Sequence, residues 1–95
     1  MNCKEIIYSR HAITKMFERQ ISKPEVEDVI NTGEEITGYP DDRPLPSSLI
    51  LGFAGKRPIH IVVAYDENEN KCILITVYEP DPEIWDADFK KRRKP

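Results

Sequence analysis

An α+β fold is predicted by three features of this 95-residue chain. Two amphipathic helical stretches fill its first third. Three apolar runs rich in branched residues follow, and the connectors between those runs are short and polar. The expected arrangement is two N-terminal helices packed on one face of a mostly antiparallel sheet of about four strands, with a short C-terminal helix. A chain of this size makes one domain, residues 1–95, whose end, 90–95, is a basic tail.

Ile6-Ile-Tyr8 is a short apolar lead-in suited to an edge strand. Ser9 fits a helix N-cap, and Arg10 to Gln20 carries Ala12, Ile13, Met16 and Phe17 at helical spacing. Ser22-Lys-Pro-Glu25 is a second helix start, with Ser22 capping, Pro24 in the first turn and Glu25 completing a capping box. Ile21 and Val26 form a hydrophobic staple, Val26, Val29 and Ile30 an apolar face, and Gly33 a stop.

Strands are then expected at Glu34–Tyr39, Ser48–Ala54, Pro58–Tyr65 and Lys71–Tyr78, with a proline-stiffened loop at 40–46. The connectors after Ala54 and Tyr65 are short enough for antiparallel hairpins. Asp81-Pro-Glu83 resembles the start of a third helix, whose Ile84, Trp85 and Phe89 can dock on the body. Strict alternation places Leu49, Leu51, Phe53, Ile59, Ile61, Val63, Ile73, Ile75 and Val77 under the helices. It leaves Gly52, His60, Thr76 and Tyr78 on the other face, with His60 across from Thr76, Tyr78 diagonal to it and Gly52 leaving space beside the imidazole.

The composition, 39% hydrophobic and 33% charged, is that of a soluble globular protein. No apolar run approaches the roughly 18–20 residues that span a bilayer, and the N-terminus has no apolar signal-peptide core. Cys3 and Cys72 are too few and too distant in sequence for a disulfide framework or zinc motif, so a reduced cytoplasm is expected. The net charge is −3, but without the five cations of Lys90–Lys94 nine basic residues stand against seventeen acidic ones. Such a body repels nucleic acid unless its remaining cations are gathered on one surface.

The two histidines attract notice. His11 opens a helix, and His60 interrupts an apolar strand where Val or Ile would pack better. Imidazole exchanges a proton near neutral pH, which makes both candidates for acid–base work. The plainer reading of His60 is a buried ring satisfied by Thr76 or a backbone carbonyl; that of His11 is a helix-start residue bonded to backbone.

Ser9-Arg-His-Ala12, Arg19-Gln-Ile-Ser22, Pro58-Ile-His-Ile-Val62 and Thr76-Val-Tyr-Glu-Pro80 resemble a bacterial and archaeal family known only as a domain of unknown function (4258). The ending Trp85…Asp88-Phe-Lys-Lys-Arg-Arg93 is similar to that of its longer members. That family looks like a relative of the RelE-like toxins of type II toxin–antitoxin systems, compact α+β ribonucleases that work without a metal. The resemblance implies a RelE-like fold, an RNA substrate such as mRNA, no cofactor, and an antitoxin partner with a zinc finger and a helix-turn-helix. One departure stands out: the family's first helix usually has Arg where this chain has Lys15, and Lys cannot hold phosphate in a bidentate fork.

Metal-independent RNA cleavage needs a base, an acid and cations around the phosphate. His11 and His60 are the proton-transfer candidates and Tyr78 the orienting group. Lys15 and Arg19, on one helical ridge with His11, are anion binders. Arg43 lies in a loop that could close over a groove, and Arg92 and Arg93 in the tail are further RNA contacts. The plain alternatives are a solvated helix face pairing Lys15 with Glu18, an ordinary strand tyrosine, an exposed Arg43, and a mobile tail. Trp85 reads as a docking anchor. No metal-ligand cluster, phosphate loop or nucleophile elbow is visible. The expected function is an endoribonuclease toxin, with a catalytically silent protein-interaction module on the same scaffold as the alternative.

Overall fold

The computed structural model describes residues 1–94; Pro95, the end of the expected tail, lies outside the described residues. The chain runs β1 (Glu5–Tyr8), α1 (Arg10–Arg19), α2 (Lys23–Thr32), β2 (Glu34–Tyr39), β3 (Ser47–Ala54), β4 (Arg57–Asp66) and β5 (Lys71–Tyr78). Both helices start on the anticipated caps. Ser9 Oγ accepts the Ala12 amide at 3.0 Å. Ser22 and Glu25 form the full capping box, at 3.3 and 2.8 Å, and Ile21 and Val26 are buried beside it. α1 ends where Gln20 turns left-handed, at φ 55. Its last carbonyls, those of Arg19 and Gln20, accept hydrogen bonds from Arg57 of β4, whose Nε also meets Glu79 at 2.6 Å. A cation at this end opposes the helix dipole.

The strands form one mixed sheet in the order β1-β5-β4-β3-β2. The expectation of about four mostly antiparallel strands is corrected: there are five, and β1 runs parallel to β5, Glu5 opposite Lys71. The chain leaves β1, crosses the sheet through both helices and enters at the far edge as β2. The last apolar strand then closes beside the first. The expected C-terminal helix is also corrected. Only one turn forms at Asp81, whose carbonyl accepts the Ile84 and Trp85 amides. The chain then doubles back, with Asp86 N–H on the Lys91 carbonyl, Arg93 N–H on the Ile84 carbonyl and Trp85 bridged to Arg92. Asp81 and Asp88 side chains accept the amides two residues on, at 2.8 and 3.1 Å. Such local bonds, together with Pro80 and Pro82, compete with helix.

One face of the sheet carries the core. Ala12 and Met16 of α1 and Val26, Val29 and Ile30 of α2 pack on Ile50, Ile59, Ile61, Val63, Leu74 and Val77. At roughly 1.5–3 kcal/mol for each fully buried branched side chain, this layer dominates the favourable side of folding. The alternation expected for β3 is out of phase, since Ile50, not Leu51, stands opposite Ile61. In β5 a bulge breaks the count: Thr76 pairs with Val62, but Leu74 already pairs with Val63. Cys72 and Leu74 therefore join Val77 under the helices, and Ile75 turns outward, 38% exposed. Gly52 also lies under the helices. A Cβ there would stand 2.7 Å from Val29 Cγ1, so its smallness serves helix contact, not space beside His60.

Cys3 and Cys72 are joined by a disulfide, with their Cα atoms 5.7 Å apart. Their sequence separation argued against pairing, but the parallel β1–β5 contact brings them side by side.

Candidate functional site

His60 points away from the helices. Its neighbours across the sheet are Leu51 and Tyr78, not the expected Thr76. The returning C-terminal segment covers it, so the ring is fully buried. Trp85 meets it edge-on at 4.5 Å between ring centres. Phe89, in left-handed backbone at φ 62, directs its carbonyl to His60 Nε2 at 2.8 Å. A carbonyl only accepts, so Nε2 carries a proton. In the neutral ring Nδ1 then accepts from the Tyr78 hydroxyl at 3.2 Å. Burial pushes the imidazole below its usual pKa, and the Phe89 hydrogen bond partly offsets this.

Tyr78 is half-buried and forms part of the floor of a groove of about 580 Å³, together with Leu49 and Val62. Thr37 and Tyr39 of β2 make one wall, and Trp85, Lys91 and Arg92 the other. Lys90 bridges to Glu34 at 3.1 Å, closing one end. Arg92 lies 5.6 Å from the Trp85 ring centre, a cation–π contact that holds the guanidinium beside the groove. Burial raises the phenol pKa of Tyr78; Tyr39 adds to the rise and Arg92 opposes it. The phenol thus keeps its proton at neutral pH and donates a hydrogen bond to His60 Nδ1.

The candidates do not converge as expected. The sheet separates His60 and Tyr78 from His11, Lys15 and Arg19, because α1 packs on the opposite face. His11 and Arg19 are exposed, and Lys15 is bonded to Glu18 at 3.1 Å. Arg43 bonds the Asp41 and Asp42 carbonyls of its own loop. Arg93 staples the C-terminal segment through Pro82 O at 2.7 Å. Of the expected anion binders only Arg92 reaches the groove. Sequence reasoning missed Tyr39, Lys91 and the Phe89 carbonyl. Strand alternation put Tyr39 on one face with Thr37, but which face required the β2–β3 register. Among the described residues no group of three or more His, Cys, Asp or Glu could hold a metal ion, and no helix is long and apolar enough to cross a membrane.

A family model described as a domain of unknown function, DUF4258, matches residues 8–79. The chain belongs to this family. The DUF4258 match takes in α1, His60 and Tyr78 but stops before Trp85, Phe89 and Arg92. In this chain the segment that covers His60 is therefore built from residues beyond the matched region. No curated protein and no solved structure matches the chain.

Proposed function

We propose that this DUF4258 protein is a small endoribonuclease of the RelE-like toxin type, acting in the groove over Tyr78. The observation that carries the reading is the hydrogen-bonded chain Tyr78 hydroxyl, His60 Nδ1, His60 Nε2–H, Phe89 carbonyl, set beside the cations Lys91 and Arg92. The ribose 2′-hydroxyl gives its proton to Tyr78 Oη as the phenol proton passes to His60 Nδ1. The Phe89 carbonyl steadies the imidazolium, and the 2′-oxygen attacks phosphorus. The P–O5′ bond breaks, the departing oxygen takes a proton from water, and the hydroxide so formed recovers the proton from His60 through Tyr78, which restores the neutral ring. Lys91 and Arg92 face the charge that develops on the phosphate. Tyr78 is the group that touches substrate; buried His60 acts through it. His11, Lys15 and Arg19 belong to another surface in this reading.

The family resemblance supplies an antitoxin with a zinc finger or helix-turn-helix as its inhibitor; the Cys3–Cys72 bond removes the cysteine argument for a reduced cytoplasm. Purified protein incubated with single-stranded RNA in excess chelator is expected to leave 2′,3′-cyclic phosphate and 5′-hydroxyl ends. Intact RNA, or 3′-hydroxyl ends, would contradict the mechanism. A second reading, a silent interaction module, is favoured by one observation: Phe17, on α1, is 87% exposed.

A further inference from the structure

The two walls of the groove over Tyr78 offer different chemistry. On the C-terminal side Lys91 and Arg92 have no ion-pair partner among the described residues, and Arg92 is held against Trp85. The nearby acids are committed: Glu34 is bridged to Lys90 at 3.1 Å, and Glu35 accepts from Ser48 Oγ at 2.5 Å. That wall suits an anion. On the β2 side a bulge between Glu35 and Thr37 sets Thr37 opposite Leu49 of the floor, and alternation then puts Tyr39 on the same face as Thr37. Tyr39 is 38% exposed and lines the groove. That wall suits a flat aromatic group.

The Tyr78 hydroxyl stands within reach of both walls, since Tyr39 and Arg92 each act on its ionisation. A volume of about 580 Å³ has room for one nucleotide with its phosphate. The chemistry of a ribonucleotide then fixes how it lies. Its 2′-oxygen stands on the carbon between the one that bears the base and the one that bears the 3′-oxygen. With the 2′-hydroxyl on Tyr78 and the 3′-phosphate drawn to Lys91 and Arg92, the base is carried toward the β2 wall.

We propose that Tyr39 is the stacking platform for the base of the nucleotide whose 2′-hydroxyl meets Tyr78, the one on the 5′ side of the cleaved bond. The groove is thereby a site for a ribonucleoside 3′-phosphate unit, held by its base at Tyr39 and by its phosphate at Lys91 and Arg92. Stacking on an aromatic ring accepts every base, so this subsite strengthens binding without selecting a sequence. The inference rests on the reading of the groove as a ribonuclease site, and it adds the part of the substrate that the cleavage chemistry leaves unheld.

The test is isothermal titration calorimetry of the full chain with adenosine 3′-monophosphate, adenosine 5′-monophosphate, phenyl phosphate and inorganic phosphate. The 3′-nucleotide is expected to bind tightest. Tyr39→Leu, which keeps a bulky side chain on the strand, should weaken it about fivefold or more and leave inorganic phosphate unchanged. Tyr39→Phe, which keeps the ring, should match the wild type, and Arg92→Gln should weaken all four ligands. Both Tyr39 variants, at an exposed position, should keep the wild-type melting temperature. The inference is overturned if the 5′-nucleotide binds as tightly as the 3′-nucleotide, or if Tyr39→Leu has no effect. Phenyl phosphate binding as tightly would also overturn it, in favour of a phosphotyrosine-like ligand. Cleavage of RNA is scored separately. Binding of the 3′-nucleotide that depends on Tyr39, without any cutting, would uphold the subsite and refute the ribonuclease reading; cutting that Tyr39→Leu leaves at the wild-type kcat/KM would do the reverse.

Discussion

His60 sits between two partners that fix its protons: a carbonyl that must accept and a phenol that then donates. A buried strand histidine with both nitrogens bonded is also a stability element. Truncation in His60→Ala would leave a cavity and orphan the Phe89 carbonyl, and we expect a loss of about 2–4 kcal/mol by urea denaturation. Its pKa is lowered on folding, first by burial. The unfolded chain therefore binds the proton more readily. Stability contributed by the neutral ring is complete above the unfolded value near 6.5 and declines as pH falls below it. The urea midpoint should drop between about pH 8 and about pH 5, and His60→Gln should remove that component. An unchanged slope in the variant would assign the dependence elsewhere. From sequence, the oddity of an imidazole among Ile and Val was visible. Tyr78 was placed in its cluster and a backbone carbonyl named as a partner, but that the carbonyl is Phe89's was not legible, because it lies 29 residues away on a segment expected to be helical.

The two N-terminal helices and the strands, though not the expected C-terminal helix, were legible to within a residue or so, because their signals are local: Ser9 and Ser22 as caps, the Ile21–Val26 staple, the branched runs of β3 to β5. Faces were not, because a face depends on register. The bulge that leaves Ile75 unpaired has no sequence signal in a run of branched residues, and it moves Cys72 and Leu74 to the opposite side from strict alternation. A half-strand error of this kind also set His60 against Thr76. Glycines carry the helix–sheet contact instead. Gly52→Ala would press a methyl into Val29, and we expect about 1–3 kcal/mol of destabilisation with no change in secondary structure by circular dichroism. A neutral Gly52→Ala would mean that α2 can lift from β3 freely.

Over the whole molecule, one sheet separates two surfaces of different chemistry: the outer side of α1, with Ile13 and Phe17 exposed, on one side and the groove beneath the C-terminal segment on the other. The parallel β1–β5 pair that closes the sheet also brings Cys3 to Cys72. This cross-link encloses most of the chain, so reducing it should lower stability by about 2–4 kcal/mol, with Cys3→Ser matching the reduced protein in a denaturant titration. Equal midpoints with and without a thiol reductant would show that the link contributes nothing. The groove makes a sharper demand. Cleavage requires Tyr78 to pass a proton between RNA and His60, and Tyr78→Phe removes one hydroxyl while keeping the ring that floors the groove. The decisive measurement is the rate of RNA cleavage in chelator by wild type and Tyr78→Phe at matched thermal stability. The account predicts a fall of about a hundredfold or more in the variant; equal rates, or no cleavage by the wild type, would contradict it.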